Sequence, residues 1–436
     1  MIETFFLCFL RGVVVMKNNM DVGNRLLVVK FGGSSLSNEE KIENAVSKVV
    51  KEVRKGTKIV VVVSAMGKTT DELIKFLDEA SGGKAPPQDM DDLLSMGERT
   101  SARIFSAALK AHGVAACYLD PYDPDWPIIT DDNFNNANPL LEESLERVRK
   151  VVTELFKKGF VPVIPGFIGK TKDGRVTTLG RGGSDTTAFI VAHALNADQV
   201  ILVTDVEGIM TADPKLIGNA EKLDIIDVER LIGLTDTGKK FIHRKALRYK
   251  PPHIDVKIIS NKSESLEAEG TVITGGTPRE ITTSLVEYPS MAVTIVGKGL
   301  SRSHNVLKSI FDLLERNKNN LLGLSINQES VILYLPKEKV EETLKGLHGI
   351  VLRESDALAL AVSPELALIK IKGAYLSETP GVISAASGVL SSIGLNIYGL
   401  FTITSSIHIF VDWDSRFKAL QSVEGSMKRL IEQSSY

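Results

Sequence analysis

The chain has 436 residues, 43% hydrophobic and 24% charged, with a formal net charge of −2. That length exceeds one ordinary domain and predicts two or three, while the near-balance of charge leaves no electrostatic footprint for nucleic acid. Two cysteines, Cys8 and Cys117, and seven scattered histidines give no metal-ligand spacing and no disulfide framework, which fits a reducing cytoplasm.

The first residues are greasy: Phe5-Phe6-Leu7-Cys8-Phe9-Leu10, then Val13-Val14-Val15, with Glu3 and Arg11 beside them. The run is too short for a membrane span and lacks the basic start and small-residue cleavage site of a signal peptide. Residues 1–24 read as an extension outside the fold, with Met16 or Met20 as alternative starts.

From there the pattern alternates. Residues 26–33 predict a strand, 38–55 a helix, and 58–65 a strand buried on both faces, because unbroken β-branched runs belong to parallel sheets. A helical spacing covers 89–112, and another covers 140–158, ended by Gly159. Residues 160–168 predict a strand whose prolines favour its ends or a sheet edge. Strands follow near 199–204, 256–260 and 271–274, so the first domain is an α/β sandwich closing near Thr277.

After Pro289 the texture changes. Strands at 291–297 and 330–335 alternate with helices at 306–314 and 337–347. The order recurs as a strand at 366–373, a helix opening at Thr379-Pro380-Gly381-Val382, a strand at 407–412 and a helix at 415–432. Two such units about 75 residues apart form an internal repeat of ferredoxin-like βαββαβ plan. The short strand 358–362 between them suggests interleaving.

Chemistry concentrates at three strand ends. Leu179-Gly180-Arg181-Gly182-Gly183-Ser184-Asp185 runs from an apolar stretch into a helix and sets a cation and an anion in a glycine-rich turn, a geometry that holds phosphate. Val28-Val29-Lys30-Phe31-Gly32-Gly33-Ser34-Ser35 is a second apolar run ending in Gly-Gly. Val203-Thr204-Asp205 begins a third, crowded with acids and turn residues as far as Asp213. Ligands of open α/β sheets sit outside such carboxyl ends. Gly67-Lys68-Thr69 is no P-loop, since Val62 stands where the upstream glycine belongs. Gly180-Arg181-Gly182 is no dinucleotide fingerprint either, since Asp185 takes the last glycine position.

Lys30-Phe31-Gly32-Gly33-Ser34-Ser35, Ser64-Ala65-Met66, Met96-Gly97-Glu98-Arg99, Gly180 to Asp185 and Thr204-Asp205-Val206-Glu207-Gly208-Ile209 occur in this order. The set resembles aspartate kinase, of the amino-acid kinase superfamily, from about residue 26 to the C-terminus, because that family carries paired ACT domains of βαββαβ plan. The resemblance implies an αβα-sandwich catalytic domain over 25–283 and two interleaved ACT domains over 286–436. It implies phosphorylation of the β-carboxylate of aspartate by ATP with Mg²⁺, the first step of the branch to lysine, threonine and methionine.

By the same resemblance Lys30 meets the ATP phosphates, and Asp185 orients the cations around them, the Mg²⁺ shell included. Gly32, Gly33 and Ser34 donate to phosphate. Arg181 grips the α-carboxylate of aspartate, Glu98 pairs with its ammonium, and Ser64, Thr70 and Ser184 complete the amino-acid site. Thr204, Asp205, Met210, Asp213 and Lys215 fall in the loop around adenine and ribose, and Lys240 is a second phosphate-facing cation. Gln328, Ser405 and Ser406 correspond to effector contacts. An end-product amino acid as regulator and a homodimer or larger assembly through the ACT pair follow; no nucleic-acid or membrane partner and no resident metal ligand is expected. Two other readings compete. One is a kinase of a different acidic amino acid, disfavoured because an N-acyl substrate leaves Glu98 without an ammonium. The other is a non-catalytic amino-acid sensor, disfavoured by the intact Lys30, Asp185 and Glu98.

Overall fold

A computed structural model describes residues 25–235, 242–276, 281–338, 340–373, 376, 379–403 and 405–434. The N-terminal extension and Lys240 lie outside these described residues. The chain divides into two compact units, one built from residues up to 227 with 241–276, the other from 228–240 with 277 onward.

In the first unit the order is β1 (Leu26–Phe31), α1 (Glu39–Arg54), β2 (Lys58–Val63), α2 (Thr69–Ser81), α3 (Pro87–Ala111), β3 (Ala116–Tyr118), β4 (Ile129–Thr130), α4 (Leu141–Lys157), β5 (Val161–Pro165), β6 (Ile168–Thr171), β7 (Val176–Thr178), α5 (Gly183–Leu195), β8 (Gln199–Thr204) and β9 (Ile225–Asp227). After α6 (Val228–Thr235), which belongs to the second unit, come α7 (Arg244–Leu247), β10 (Asp255–Ser260) and β11 (Thr271–Thr274). The main sheet runs β3-β5-β2-β1-β8-β10-β11-β9, and the pairs from β3 to β10 are parallel. β4, β6 and β7 form a separate small sheet.

The parallel strands carry apolar side chains on both faces because helices cover both. On one face Val29, Phe31, Val61 and Val63 pack with Val46 and Val49 of α1 and Phe105 and Leu109 of α3. On the other lie α4 and α5. α5 is buried along nearly its whole length; the apolar run Ala188-Phe189-Ile190-Val191-Ala192 accounts for its later turns, and its polar first turns face the site. α1 is a surface helix instead. Its N-cap Asn38 accepts a hydrogen bond from the Lys41 amide at 3.0 Å, Glu39 and Glu40 fill the first turn, and Lys51 and Arg54 the last, each complementing the helix dipole.

Of the two places open to the prolines of β5, the structure gives the strand ends and not a sheet edge: Pro165 closes the strand, Pro162 is its second residue, and β5 lies between β2 and β3. Pro162 is tolerated because the ladder to β2 begins only at Val163, while Val161 donates to Ala115 on the β3 side. The sequence reading also omits α2, although Leu73, Ile74 and Leu77 form a half-buried apolar stripe along it.

The second unit holds β12 (Thr282–Leu285), β13 (Ser290–Gly297), α8 (His304–Arg316), β14 (Gly323–Ile326), β15 (Ser330–Pro336), α9 (Val340–Arg353), β16 (Ala357–Val362), β17 (Leu366–Lys372), α10 (Val382–Ser392), β18 (Gly399–Ile403), β19 (Ser406–Asp412) and α11 (Arg416–Ser434). The first module is β13-α8-β14-β15-α9-β16, with β16 antiparallel to β13. The second is β17-α10-β18-β19-α11, and its fourth strand is β12, antiparallel to β17. The two are therefore interleaved, but through 282–285, the strand that precedes the first module, and not through 358–362. For the same reason the division between units falls before residue 283. Pro380 lies outside α10, whose N-cap is Gly381 at φ +88°.

Because β12 completes the second module, a fragment starting at residue 286 should be less stable than one starting at 281. It loses Ile281 and Leu285, both packed in the second module's core. Burying one isoleucine is worth about 1.5–3 kcal/mol, so urea unfolding should show a lower midpoint for the shorter fragment. Equal midpoints would remove β12 from the module.

Candidate active site

β1 is the central strand of the parallel sheet, with β2 on one side and β8 on the other. Its end is laced to both neighbours. The Gly32 amide donates to Val203 O at 3.1 Å, and Ser35 Oγ donates to the same oxygen at 3.1 Å. The Ser64 amide donates to Phe31 O at 3.1 Å and the Gly67 amide to Gly33 O at 3.0 Å. Gly33 is obligatory, since a Cβ there would lie 2.7 Å from Ala65 O. Lys41, at the start of α1, donates from Nζ to Ser34 O at 2.9 Å and braces the turn.

Opposite stands the beginning of α5. Gly182 caps it at φ +78°, and a Cβ there would lie 2.5 Å from the Cβ of His243. Asp185 sits in the first helical turn, where the helix dipole favours an anion. Its Oδ1 lies 2.6 Å from Lys30 Nζ, with the two side chains 11% and 16% exposed. The strand end and the helix start are thus joined by a largely buried ion pair.

The third wall is α3. A Cβ at Gly97 would lie 2.9 Å from the Ala65 Cβ, so glycine lets the helix approach the end of β2. There Glu98, 4% exposed, accepts from the Ala65 amide at 3.0 Å through Oε1. Its Oε2 is buried and has no hydrogen-bond partner among the described residues. Desolvation raises the Glu98 pKa to about 7, against the opposing pull of the Ala65 amide, its own amide and the charge of Lys30.

These groups line one cleft of about 830 Å³. Lys30, Ser64, Thr70, Glu98, Arg181, Ser184 and Asp185 are all in its wall, with Arg181 exposed at the mouth. Gly32, Gly33 and Ser34 lie at the adjoining strand end. Thr204 ends β8 beside them, and Asp205, Met210, Asp213 and Lys215 follow on the exposed or half-exposed segment after it, outside the cleft lining. Sequence reasoning missed Asn135, Phe167 and Thr178 in the wall, and it missed Asp91 behind them. Asp91 lies on α3 two helical turns before Glu98 and is buried like it, but nothing local in the sequence shows its distant partners.

In the second unit a cavity of about 670 Å³ lies between the start of α10 and the turn of the β18–β19 hairpin, lined by Ile383, Ser384, Thr402 and Ser406 among others. Ser405 is in that turn and accepts from the Gly373 amide at 3.0 Å. Gln328 occupies the corresponding turn of the first module, where Leu300 donates to it at 2.9 Å, and is no part of this cavity. Among the described residues no cluster of three His, Cys, Asp or Glu side chains could hold a metal, and no helix is long and apolar enough to cross a membrane.

The amino acid kinase family pattern matches residues 25–260. An aspartokinase of Bacillus sp. (strain MGA3) is 30% identical over 409 residues, covering 91% of this chain and 96% of its own. The crystal structure of an aspartate kinase from Synechocystis superposes with a TM-score of 0.75 at 25% identity, over 92% of this chain and 69% of that one. E. coli aspartokinase III in complex with aspartate and ADP superposes with a TM-score of 0.52 at 24% identity, over 92% of this chain and the whole of its own.

The raised pKa of Glu98 has a measurable consequence. Between the ordinary value of 4.5 and about 7, the folded protein holds a proton that the unfolded chain has lost. Stability contributed by protonated Glu98 therefore declines as pH rises through that window. Glu98→Gln should abolish this slope, so the melting temperature of the ligand-free mutant gains on the wild type between about pH 5 and pH 8. Parallel melting curves would mean that Glu98 is solvated.

Proposed function

The chain belongs to the aspartokinase family, and we propose that its cleft joins the γ-phosphoryl group of ATP to the β-carboxylate of L-aspartate, giving 4-phospho-L-aspartate and ADP. The observation that carries this assignment is one cleft holding both a buried carboxylate oxygen without a partner, Glu98 Oε2, and a preorganised cation, Lys30 held by Asp185.

A free α-amino acid satisfies the cleft's polar groups. Its ammonium pairs with Glu98 Oε2, its α-carboxylate with the guanidinium of Arg181, and Ser64, Thr70 and Ser184 supply hydroxyl contacts. This leaves the β-carboxylate directed toward Lys30. An oxygen of that carboxylate attacks the γ-phosphorus, the bond from phosphorus to the β,γ-bridging oxygen breaks, and the electron pair leaves with ADP. The attacking carboxylate is already ionised at neutral pH, so no proton moves and no general base is required. What the site supplies is position and charge neutralisation. Lys30 meets the charge of the migrating phosphoryl group. Gly32, Gly33 and Ser34 present donors to the phosphates, and Thr204, Asp205, Met210, Asp213, Lys215 and Lys240 form the nucleotide side.

The donor set also fits Mg²⁺ of the kind that arrives with a nucleotide. Asp185, the cleft carboxylate beside Lys30, would hold the ion together with phosphate oxygens and water. When bound it neutralises phosphate charge.

The second unit is read as the amino-acid sensor. The start of α10 offers backbone donors to an α-carboxylate beside Ser406. Lysine or threonine is the effector class, the assembly a homodimer or larger, and the compartment the cytoplasm.

The deciding experiment offers ATP with aspartate, glutamate and N-acetylglutamate side by side, trapping acyl phosphate as hydroxamate. Product from aspartate alone supports the reading; product from N-acetylglutamate overturns it. Lys30→Ala and Asp185→Ala should each reduce kcat by ~10²–10³ without unfolding the protein. Glu98→Gln should raise the KM for aspartate far more than that for ATP, by the ~1.5–3 kcal/mol of a charged hydrogen bond. In the wild type, kcat/KM for aspartate should fall as pH drops below about 7, where Glu98 takes up its proton. Near-normal turnover in a folded Lys30 variant, or a KM change confined to ATP in the Glu98 variant, would sink the assignments.

A titration of free amino acids against the enzyme should find one that changes turnover at saturating ATP, with coupling of about 1–3 kcal/mol. Ser406→Phe should blunt that response and leave basal turnover intact. If no amino acid binds, the second unit has no sensing role.

A further inference from the structure

Two charged side chains outside the reacting centre converge on one short stretch of the cleft wall. Asp91 of α3 is fully buried and accepts three hydrogen bonds: from the Asn135 amide at 2.9 Å, the Thr178 amide at 2.9 Å and the Thr178 hydroxyl at 2.5 Å. Lys245 of α7 approaches from the other side. Its Nζ donates to Asn136 O at 3.1 Å, Asn136 Oδ1 at 2.8 Å, Ala137 O at 2.9 Å and Leu179 O at 2.8 Å. Between the two, the Ala137 amide donates to Thr178 O at 2.9 Å.

An ammonium has three protons, so four oxygens within this range leave none for water or ligand. Neither Asp91 nor Lys245 lines the cleft; Asn135, Thr178, Gly180 and Arg181 do. The fit is close. Gly180 has φ +70°, and a Cβ there would lie 2.7 Å from Asn136 Oδ1. Asn135 is itself left-handed at φ +66°, a conformation that needs local support. Asp131 secures the root of the segment, accepting from the Asn138 amide at 2.8 Å and the Asn138 side chain at 2.9 Å.

We propose that Asp91 and Lys245 are positioning residues that clamp the segment 135–137 onto Thr178–Gly180, and so fix the point from which Arg181 reaches the amino-acid substrate. The proposal rests on the assignment of this cleft to aspartate. Loss of the clamp displaces the wall carrying Arg181 and leaves the Lys30 and Gly32–Ser34 side untouched. A shift of about 1 Å in a positioned group costs up to ~10²-fold in catalysis.

The test uses the full-length enzyme. Lys245→Met keeps the length of the side chain and removes its donors; the KM for aspartate should rise on the order of 10- to 100-fold while that for ATP stays within about twofold. Asn136→Ala, at an exposed residue, should give a smaller rise in the same constant and add little to Lys245→Met in the double variant, because both remove one interaction. Lys48→Met is the control. Lys48 is another lysine of this unit, bonded to Asn44 Oδ1 at 2.6 Å and Asn261 O at 2.9 Å, and its loss should lower the melting temperature without moving the KM for aspartate. Hydrogen exchange on the substrate-free protein should show lost protection at the Asn135 and Ala137 amides in Lys245→Met and not in Lys48→Met. An unchanged aspartate KM in folded Lys245→Met, or an equal rise for ATP, would overturn the proposal. If the wild type fails to phosphorylate aspartate while the exchange result holds, the substrate reading falls and the clamp itself stands.

Discussion

A lysine ammonium and an aspartate carboxylate 2.6 Å apart join the end of the central strand to the first turn of a buried helix, and the rest of the cleft is arranged around them. Each partner alone would carry an uncompensated desolvation penalty in that place; together, with the helix dipole behind Asp185, they are tolerated. The glycines serve the walls around the pair. Gly33 clears Ala65 O at the end of β2, Gly182 clears His243, and a Cβ at Gly166 would lie 2.7 Å from the Ser184 Cβ. In Lys-Phe-Gly-Gly and Gly-Arg-Gly-Gly-Ser-Asp, therefore, the charged residues make the ion pair and the glycines let neighbouring segments close in on each end of it.

How segments are buried explains which parts of the molecule are legible in the sequence. Strands such as Val60-Val61-Val62-Val63 announce themselves because both faces are buried, and Lys30 stands out as the charge at the end of such a run. α2 is fainter because its apolar stripe of Leu73, Ile74 and Leu77 is only half-buried and is interrupted by charged residues. Asp91 is silent for the opposite reason. It is as buried as its apolar neighbours, and its purpose depends on the Asn135 and Thr178 amides, 44 and 87 residues away. A short polar side chain whose partners are backbone groups of distant segments leaves no local periodicity to read. Lys245 is the same case, with acceptors on residues 136, 137 and 179.

The repeat in the second unit was visible as an order of elements, but its closure was not. A four-residue strand, Thr282-Thr283-Ser284-Leu285, has too little pattern to be assigned from sequence, and only its pairing with β17 shows that it completes the later module. The strand at 357–362 is longer and more apolar, so it attracted the interleaving role, yet it pairs with β13 of its own module. Each module needs a fourth strand beside its first; the first module supplies its own at its end, and the second takes one from the chain before the first module.

Glu98 completes the electrostatics. If the cleft takes ATP and aspartate as proposed, it must also tell a free amino acid from other anions, and a buried carboxylate whose charge is costly until an ammonium arrives suits that task. Burial of Glu98 beneath Ala65 creates that condition, since its pKa of about 7 leaves it protonated in a large share of molecules near neutrality. On the proposed assignment an incoming ammonium would stabilise the ionised form, linking binding of the amino acid to release of the Glu98 proton. An anion without an ammonium meets the protonated carboxyl instead, which can donate one hydrogen bond but offers no charge pairing. On that assignment, selectivity for the zwitterion depends on Gly97, which lets α3 lie against Ala65 and so buries Glu98, as much as on the carboxylate itself.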